Sequence, residues 1–289
     1  MNGAQILATG AGRLLVVNDR HWQERIAPYQ EEIESVWRHQ CQIRGNLFNG
    51  RILNFIDLNP AEAGWVLRGH FVDYQVLLAK QFLPHLPVDL APIAVSGLTC
   101  LQLHSAQPAH PVDAASRVEP IDRRWILVAR RARWVTHYPG FYELVPSGGV
   151  DESRLNRQTG ELDYLGKLKE EFAEESGFNL NLAVDPMHRR QFPYFDQCSE
   201  LGVVFDPQIN CYDLCATLEA TGTTLPPLEK KPGHDGEYED FSWIEVGATE
   251  SFIAEHRQWI VPTSLALLDL YFQAWIRPNP GLVSGRLFE

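Results

Sequence analysis

Residues 141–178 read FYELVPSGGVDESRLNRQTGELDYLGKLKEEFAEESGF. Strand-type residues over Tyr142 to Val145 run into the turn formers Pro146-Ser147-Gly148-Gly149. A helix is then expected from about Leu162 to Ser176, stopped by Gly177, the residue type that most readily takes a left-handed conformation past a helix end. Leu165, Leu168 and Phe172 recur at helical spacing and make its buried stripe. Glu171, Glu174 and Glu175 stand at i, i+3 and i+4, so their carboxylates leave one face within reach of a common ion. Three carboxylates that close repel one another, and a hard cation such as Mg²⁺, which prefers oxygen ligands and also binds phosphates, relieves the repulsion. The same spacing also describes an acidic face turned to water and partly offset by Lys167 and Lys169.

Upstream, Arg51 to Leu58 and Trp65 to Phe71 are β-rich runs separated by Asn59-Pro60 turn chemistry, which predicts a hairpin-like pair. Ile26, Tyr29, Ile33, Val36 and Trp37 predict one amphipathic helix from Trp22 to His39, breaking at Gly45, and a short helix is expected over Tyr74 to Phe82. Pro84, Pro87 and Pro92 restrict the backbone around an apolar stretch. The polar tract SAQPAHPVDAASR ends at Arg117 and reads as a linker, dividing an α/β extension over residues 1–117 from a domain over 118–289. Beyond it strands are expected at Trp125 to Arg130, Phe192 to Phe195, Cys211 to Leu218 and Phe241 to Val246, then helices at Ser251 to His256 and Ser264 to Trp275. Residues 221–240 read as a long loop of the kind that is often functional. The fold class is therefore mixed α/β.

Composition bounds the function. Hydrophobic residues make up 45% and charged residues 21%, which is ordinary for a globular chain with a real core. Lysine and arginine number 25 against 37 acids, a formal charge of −12 that repels phosphodiester backbones, so nucleic acid is not an expected partner. Five cysteines without a C-x-x-C pair suggest neither a zinc ribbon nor a disulfide framework, and no apolar run suits export or membrane insertion. A cytoplasmic setting is the expectation.

Glu171 to Phe178 resembles the second half of the Nudix hydrolase signature, G-x5-E-x7-R-E-U-x-E-E-x-G-U with U apolar, and FYELVPSGGVD resembles the strand and glycine turn that open it, with Gly149 as the first motif residue. WILVARRARWVTHYPG, residues 125–140, resembles the family's central strand and following loop. The chain departs from the pattern twice. Glu170 occupies the place of the motif's Arg, where another acid raises a neighbour's pKa by repulsion. Gly149 and Glu170 lie 21 positions apart where the motif has 14, an insertion of seven that leaves Glu161 or Glu152 to stand for the motif's early Glu. The resemblance implies an α/β/α sandwich with a mixed sheet and a β-rich amino-terminal extension. It implies Mg²⁺ or Mn²⁺ on Glu171, Glu174 and Glu175, which with Glu239 form the catalytic set. Glu237 lies in the same loop as Glu239.

Arg130 and Arg131 at a strand end, with Gly148 and Gly149 at the turn, are the candidate substrate-binding residues, the arginines gripping phosphate by charge-assisted hydrogen bonds. Tyr138, Phe141 and Tyr194 are aromatics of a type that stacks on a base, and His70 and His137 are lone histidines better suited to structure. IESVWRHQCQIRGNLFNGRILNF, residues 33–55, and GHFVDYQ, residues 69–75, are loosely similar to the amino-terminal region of the Nudix branch that splits UDP-glucose and UDP-galactose. The implied activity is metal-dependent cleavage of a nucleoside diphosphate linked to another moiety, preferably a nucleotide sugar; the β-rich amino-terminal region equally suits a homodimer surface. A binding or sensor module that holds such a metabolite uncleaved is the alternative, and Glu170 favours it.

Overall fold

In the computed structural model, residues 3–45, 47–104, 123–176, 194–226, 228 and 236–276 are described. They form a mixed α/β protein of two compact units: residues 1–95, 148–167 and 202–214 in the first, and 96–147, 168–201 and 215–289 in the second. The expected linker around Arg117 lies outside the described residues, as does Gly177.

In the first unit β1 (Gln5–Thr9) pairs antiparallel with Gly202 to Phe205 of β9 (Tyr194–Asp206). A three-stranded mixed sheet has β4 (Gly64–Asp73) at its centre, parallel to β2 (Gly12–Val16) and antiparallel to β3 (Arg51–Ala61). The expected hairpin is present, but β3 continues through Asn59 and Pro60 to Ala61, and the reversal falls between Ala61 and Gly64. Proline is tolerated at that end, where pairing is about to stop. Gly64 takes a φ of +111°, and a Cβ there would stand 1.8 Å from the Ala11 carbonyl oxygen. Gly64→Ala therefore meets both the left-handed penalty of about 1–2 kcal/mol and a clash with backbone. The denaturant midpoint should fall clearly; an unchanged midpoint would refute this placement of the turn.

The helix expected over Trp22 to His39 is two helices, α1 (Arg20–Ile26) and α2 (Gln30–Arg44), joined by a 3-10 turn at Ala27–Tyr29. Pro28 explains the break, since it lacks an N–H and its ring opposes the preceding turn. Asp19 caps α1 by accepting from the Trp22 amide at 3.1 Å, and Gly45 closes α2 at a φ of +72°. Trp22, Ile26, Ile33 and Val72 form a core with Val76 and Ala79 of α3 (Tyr74–Phe82). Trp65 is buried, whereas Phe48 is 82% exposed. His70 is buried between Asp19 and Asn54, at 3.4 Å from each.

The insertion belongs to this unit too. After a 3-10 turn at Glu152–Arg154 the chain folds back with Leu155 bridging Leu162, and residues 160–162 hydrogen-bond along β2: the Val16 amide to the Gly160 carbonyl at 2.7 Å, the Leu162 amide to the Leu14 carbonyl at 3.0 Å. The additional residues thus give the edge of β2 a partner.

The second unit is organised on β6 (Arg123–Arg131). It pairs antiparallel with Cys100 to Leu103 of β5 (Ile93–Leu103), with β7 (Tyr142–Leu144) and with β11 (Tyr238–Glu245). Residues 215–222 of β10 (Cys211–Gly222) extend it beside β5. β8 (Ser147–Gly149) follows β7 directly. α4 (Tyr164–Ser176) begins in the first unit, where the Asp163 carboxylate accepts from the Gly166 amide at 2.8 Å, and ends in the second. α5 (Thr249–His256) and α6 (Pro262–Ile276) complete the described chain, α6 being fastened to β7 by Ser264 Oγ, which accepts from the Leu144 amide at 2.9 Å. Among the described residues no helix is long and apolar enough to cross a membrane, and all five cysteines are free.

Candidate active site

The acidic helix sorts its residues by burial. Leu168 and Phe172 are fully buried, while Leu165, expected in the same stripe, is only partly covered and Tyr164 takes the buried position one turn before Leu168. Lys167 does not turn its charge to water. It is buried, and its ammonium donates to Asp151 at 3.0 Å. Glu174 is exposed, and Glu170, Glu171 and Glu175 are partly buried.

Glu175 turns inward. Both its oxygens accept from the Ser147 amide, at 3.4 and 3.3 Å, and Oε1 lies 3.3 Å from the Tyr238 hydroxyl. That hydroxyl also donates to Glu143 Oε2 at 2.9 Å, and the same oxygen receives Arg131 Nη1. Glu143 arrives there by strand alternation, because it is opposite Ala129 and so shares a face with Arg131. Tyr238, opposite Arg131 in β11, joins them through a bulge between Tyr238 and Asp240, which leaves Glu239 as the extra residue of its strand.

Ser147 is positioned by β5. The Gly97 amide donates to the Pro146 carbonyl at 2.7 Å, and both the amide and the hydroxyl of Thr99 donate to Val145, at 3.2 and 2.8 Å. A Cβ on Gly97 would stand 2.7 Å from the Pro146 ring, so this close seating requires glycine.

Burial, then the negative charges of Glu143, Glu237 and Glu171, hold the Glu175 carboxyl well above the ordinary glutamate range, against the hydrogen bond from Ser147. The Tyr238 hydroxyl is pushed up strongly for the same reasons, burial first and then Glu143 and Glu175. Glu237 is exposed as a residue, yet loss of water around its carboxyl raises its pKa, with Arg131 opposing and Glu143 reinforcing. Several carboxylates thus face one guanidinium.

The sequence candidates divide accordingly. Arg131 is in the cluster, but Arg130 lies across the strand on the other face and donates to the Gly140 carbonyl at 3.3 Å, so the two are not brought together as a pair. That other face carries an apolar pocket lined by Ile126, Val128, Leu144, Phe252, Ile260 and Leu268, among others. Glu239 accepts from the Arg133 amide at 3.2 Å, and it is Glu237 of this loop whose charge acts on Glu175. Glu161 and Glu152, considered for the motif's early Glu, pair instead with Arg13 at 3.0 Å and Arg51 at 3.3 Å. Gly148 and Gly149 follow Ser147 in β8 but fall in the first unit; a Cβ on Gly149 would meet nothing within 4 Å.

The His137 carbonyl accepts from Arg131 Nε at 3.1 Å. Tyr138 has a φ of +50° and its ring is 5.4 Å from Phe141, while nothing is described of the Tyr194 side chain. Glu143, Tyr238 and Ser147 were not singled out in the sequence. Glu143 did leave a signal, a charged residue between Tyr142 and Leu144 in a short strand.

Among the described residues no three His, Cys, Asp or Glu side chains are gathered closely enough to hold an ion. The donor set is nonetheless of the right chemistry: carboxylates at helical spacing, with Glu175 set among negative neighbours that a hard divalent cation would offset.

No family model and no curated protein matches the chain. It is similar to a solved structure described as a NUDIX hydrolase from Alicyclobacillus acidocaldarius, at 14% identity over 56% of this chain and 84% of that chain, with a TM-score of 0.31. Agreement that slight leaves the functional argument to the residues themselves.

Proposed function

We propose that this chain is a Nudix-type, metal-dependent hydrolase of nucleoside diphosphates linked to another moiety, with nucleotide sugars as the preferred class. The observation that supports this reading most is the inward turn of Glu175, which fastens the acidic helix, through the Ser147 amide, to the short strand β8 that opens the Nudix-like motif. Glu171, Glu174 and Glu175 would hold Mg²⁺ or Mn²⁺, which when bound polarises a diphosphate and lowers the pKa of a coordinated water. Water adds to one phosphorus, the bridging P–O bond breaks, and a nucleoside monophosphate and a sugar phosphate leave. A carboxylate of the cluster takes the water's proton. Arg131 pairs with Glu143 and holds it in place.

The net charge of −12 suits a small phosphorylated substrate, whose approach a cation assists, better than nucleic acid. One observation favours a second reading, a module that binds the metabolite uncleaved: Glu170 stands where the motif has Arg.

A phosphorus NMR screen with Mg²⁺ over nucleotide sugars, dinucleotides, nucleoside triphosphates and CoA derivatives separates the two. Hydrolysis predicts conversion of a diphosphate into two monophosphates that stops in chelator and resumes when Mg²⁺ is restored. Ligand-induced thermal stabilisation without conversion would support the binding module. Equal conversion in excess chelator would end the metal reading.

A further inference from the structure

We propose that Tyr238 is the positioning residue for Glu175 and that Arg131 acts through it, by way of Glu143. This rests on reading Glu175 as a residue of the active site. Both hydrogen bonds that Glu175 accepts from Ser147 are long, 3.4 and 3.3 Å, and come from a single amide, so they leave the carboxylate free to swing about that amide. The charges acting on it from Glu143, Glu237 and Glu171 all repel it. The Tyr238 hydroxyl, 3.3 Å from Oε1, supplies a second point of attachment from a different strand, and two points fix an orientation that one does not.

Tyr238 has one hydroxyl proton and two carboxylates within reach, Glu143 at 2.9 Å and Glu175 at 3.3 Å. A proton directed to Glu143 is not available to Glu175. Arg131 settles this competition, because its Nη1 donates to the same Glu143 oxygen and so satisfies it when the hydroxyl faces Glu175. The guanidinium is itself anchored, by Nε on the His137 carbonyl at 3.1 Å, with its carbon 6.0 Å from the centre of the Tyr238 ring. The bulge after Tyr238 lets Tyr238 share the sheet face that carries Arg131 and Glu143, and without its extra residue the register with β6 would differ by one from Asp240 onward.

The test uses the full chain and the variants Tyr238→Phe, Arg131→Lys and their combination, with Glu175→Gln as reference. The first readout needs neither metal nor turnover: the amide proton resonance of Ser147 in metal-free protein, which reports its hydrogen bond to Glu175. Tyr238→Phe should move it in the direction that Glu175→Gln moves it. Mn²⁺ affinity should weaken about tenfold or more, as for loss of groups that orient metal ligands. In steady state kcat should fall while KM stays near the wild-type value, because the substrate's own contacts are kept.

The double variant should be no worse than Tyr238→Phe alone, since Arg131 acts through the hydroxyl that is already gone. A Ser147 resonance untouched by Tyr238→Phe overturns the proposal whatever the activity, and additive losses in the double variant overturn the part given to Arg131. Wild-type protein that neither binds Mn²⁺ nor cleaves a diphosphate defeats the hydrolase reading instead, with the Ser147 resonance still deciding the positioning role.

Discussion

Glu175→Gln should lower turnover by a factor on the order of a hundred or more, the scale on which loss of a proton acceptor or metal-polarising ligand is felt. The same substitution should stabilise the metal-free protein. Glutamine keeps the size and the acceptor for Ser147 but removes a charge that burial and then Glu143, Glu237 and Glu171 disfavour. The pH dependence has a definite sign. Because the folded pKa of Glu175 lies above the unfolded one, the folded chain keeps a proton that the unfolded chain has lost. The associated stability is full below the ordinary glutamate value of 4.5 and is lost as pH rises through the raised value. Glu237 contributes in the same direction. Asp57, Asp151 and Glu161, whose carboxyls are lowered, contribute oppositely. The test is therefore the difference between wild type and Glu175→Gln in chelator: the gain in melting temperature should grow as pH rises above 4.5. A variant with wild-type turnover and no such gain would mean that Glu175 is an ordinary surface acid.

Phe172→Ala should cost about 3–5 kcal/mol, the range for deleting a fully buried ring. Phe172 lies one residue after Glu171 and two before Glu174, so the buried stripe and the carboxylates are set by the same helical phase. The variant tests that phase separately from chemistry. Urea unfolding should show the midpoint falling sharply while residual folded protein keeps its metal response. A loss below about 1 kcal/mol would place Phe172 on the surface and turn the glutamates the other way.

In the second unit Tyr142 to Leu144 and the helix to Ser176 lie where apolar periodicity and turn formers place them, whereas β5, almost wholly buried and so without alternation, left no strand signal, and the turn expected at Ser147 to Gly149 is the strand β8. The five-residue strands β1 and β2 carry too few alternating positions to stand out, and Pro28 splits a helix whose apolar spacing continues across it. The acidic helix was readable as a site candidate for the same reason that its partners were not. Helical spacing is local, whereas Glu143, Tyr238 and Ser147 meet Glu175 only through pairing of strands far apart in sequence. Strand alternation separates Arg130 from Arg131, and the bulge decides which loop acid approaches. Spacing against a motif gives neither. The insertion looked like a gap in a signature, yet its hydrogen bonds to β2 give it a use in the first unit.

The central claim, a divalent cation held by the carboxylates of α4, is tested most directly by calorimetric titration of Mn²⁺ into metal-free wild type, Glu174→Gln and Glu175→Gln at one pH. Saturable binding by wild type that is lost or weakened at least tenfold in both variants is the predicted result. Equal Mn²⁺ affinity in all three proteins would contradict it.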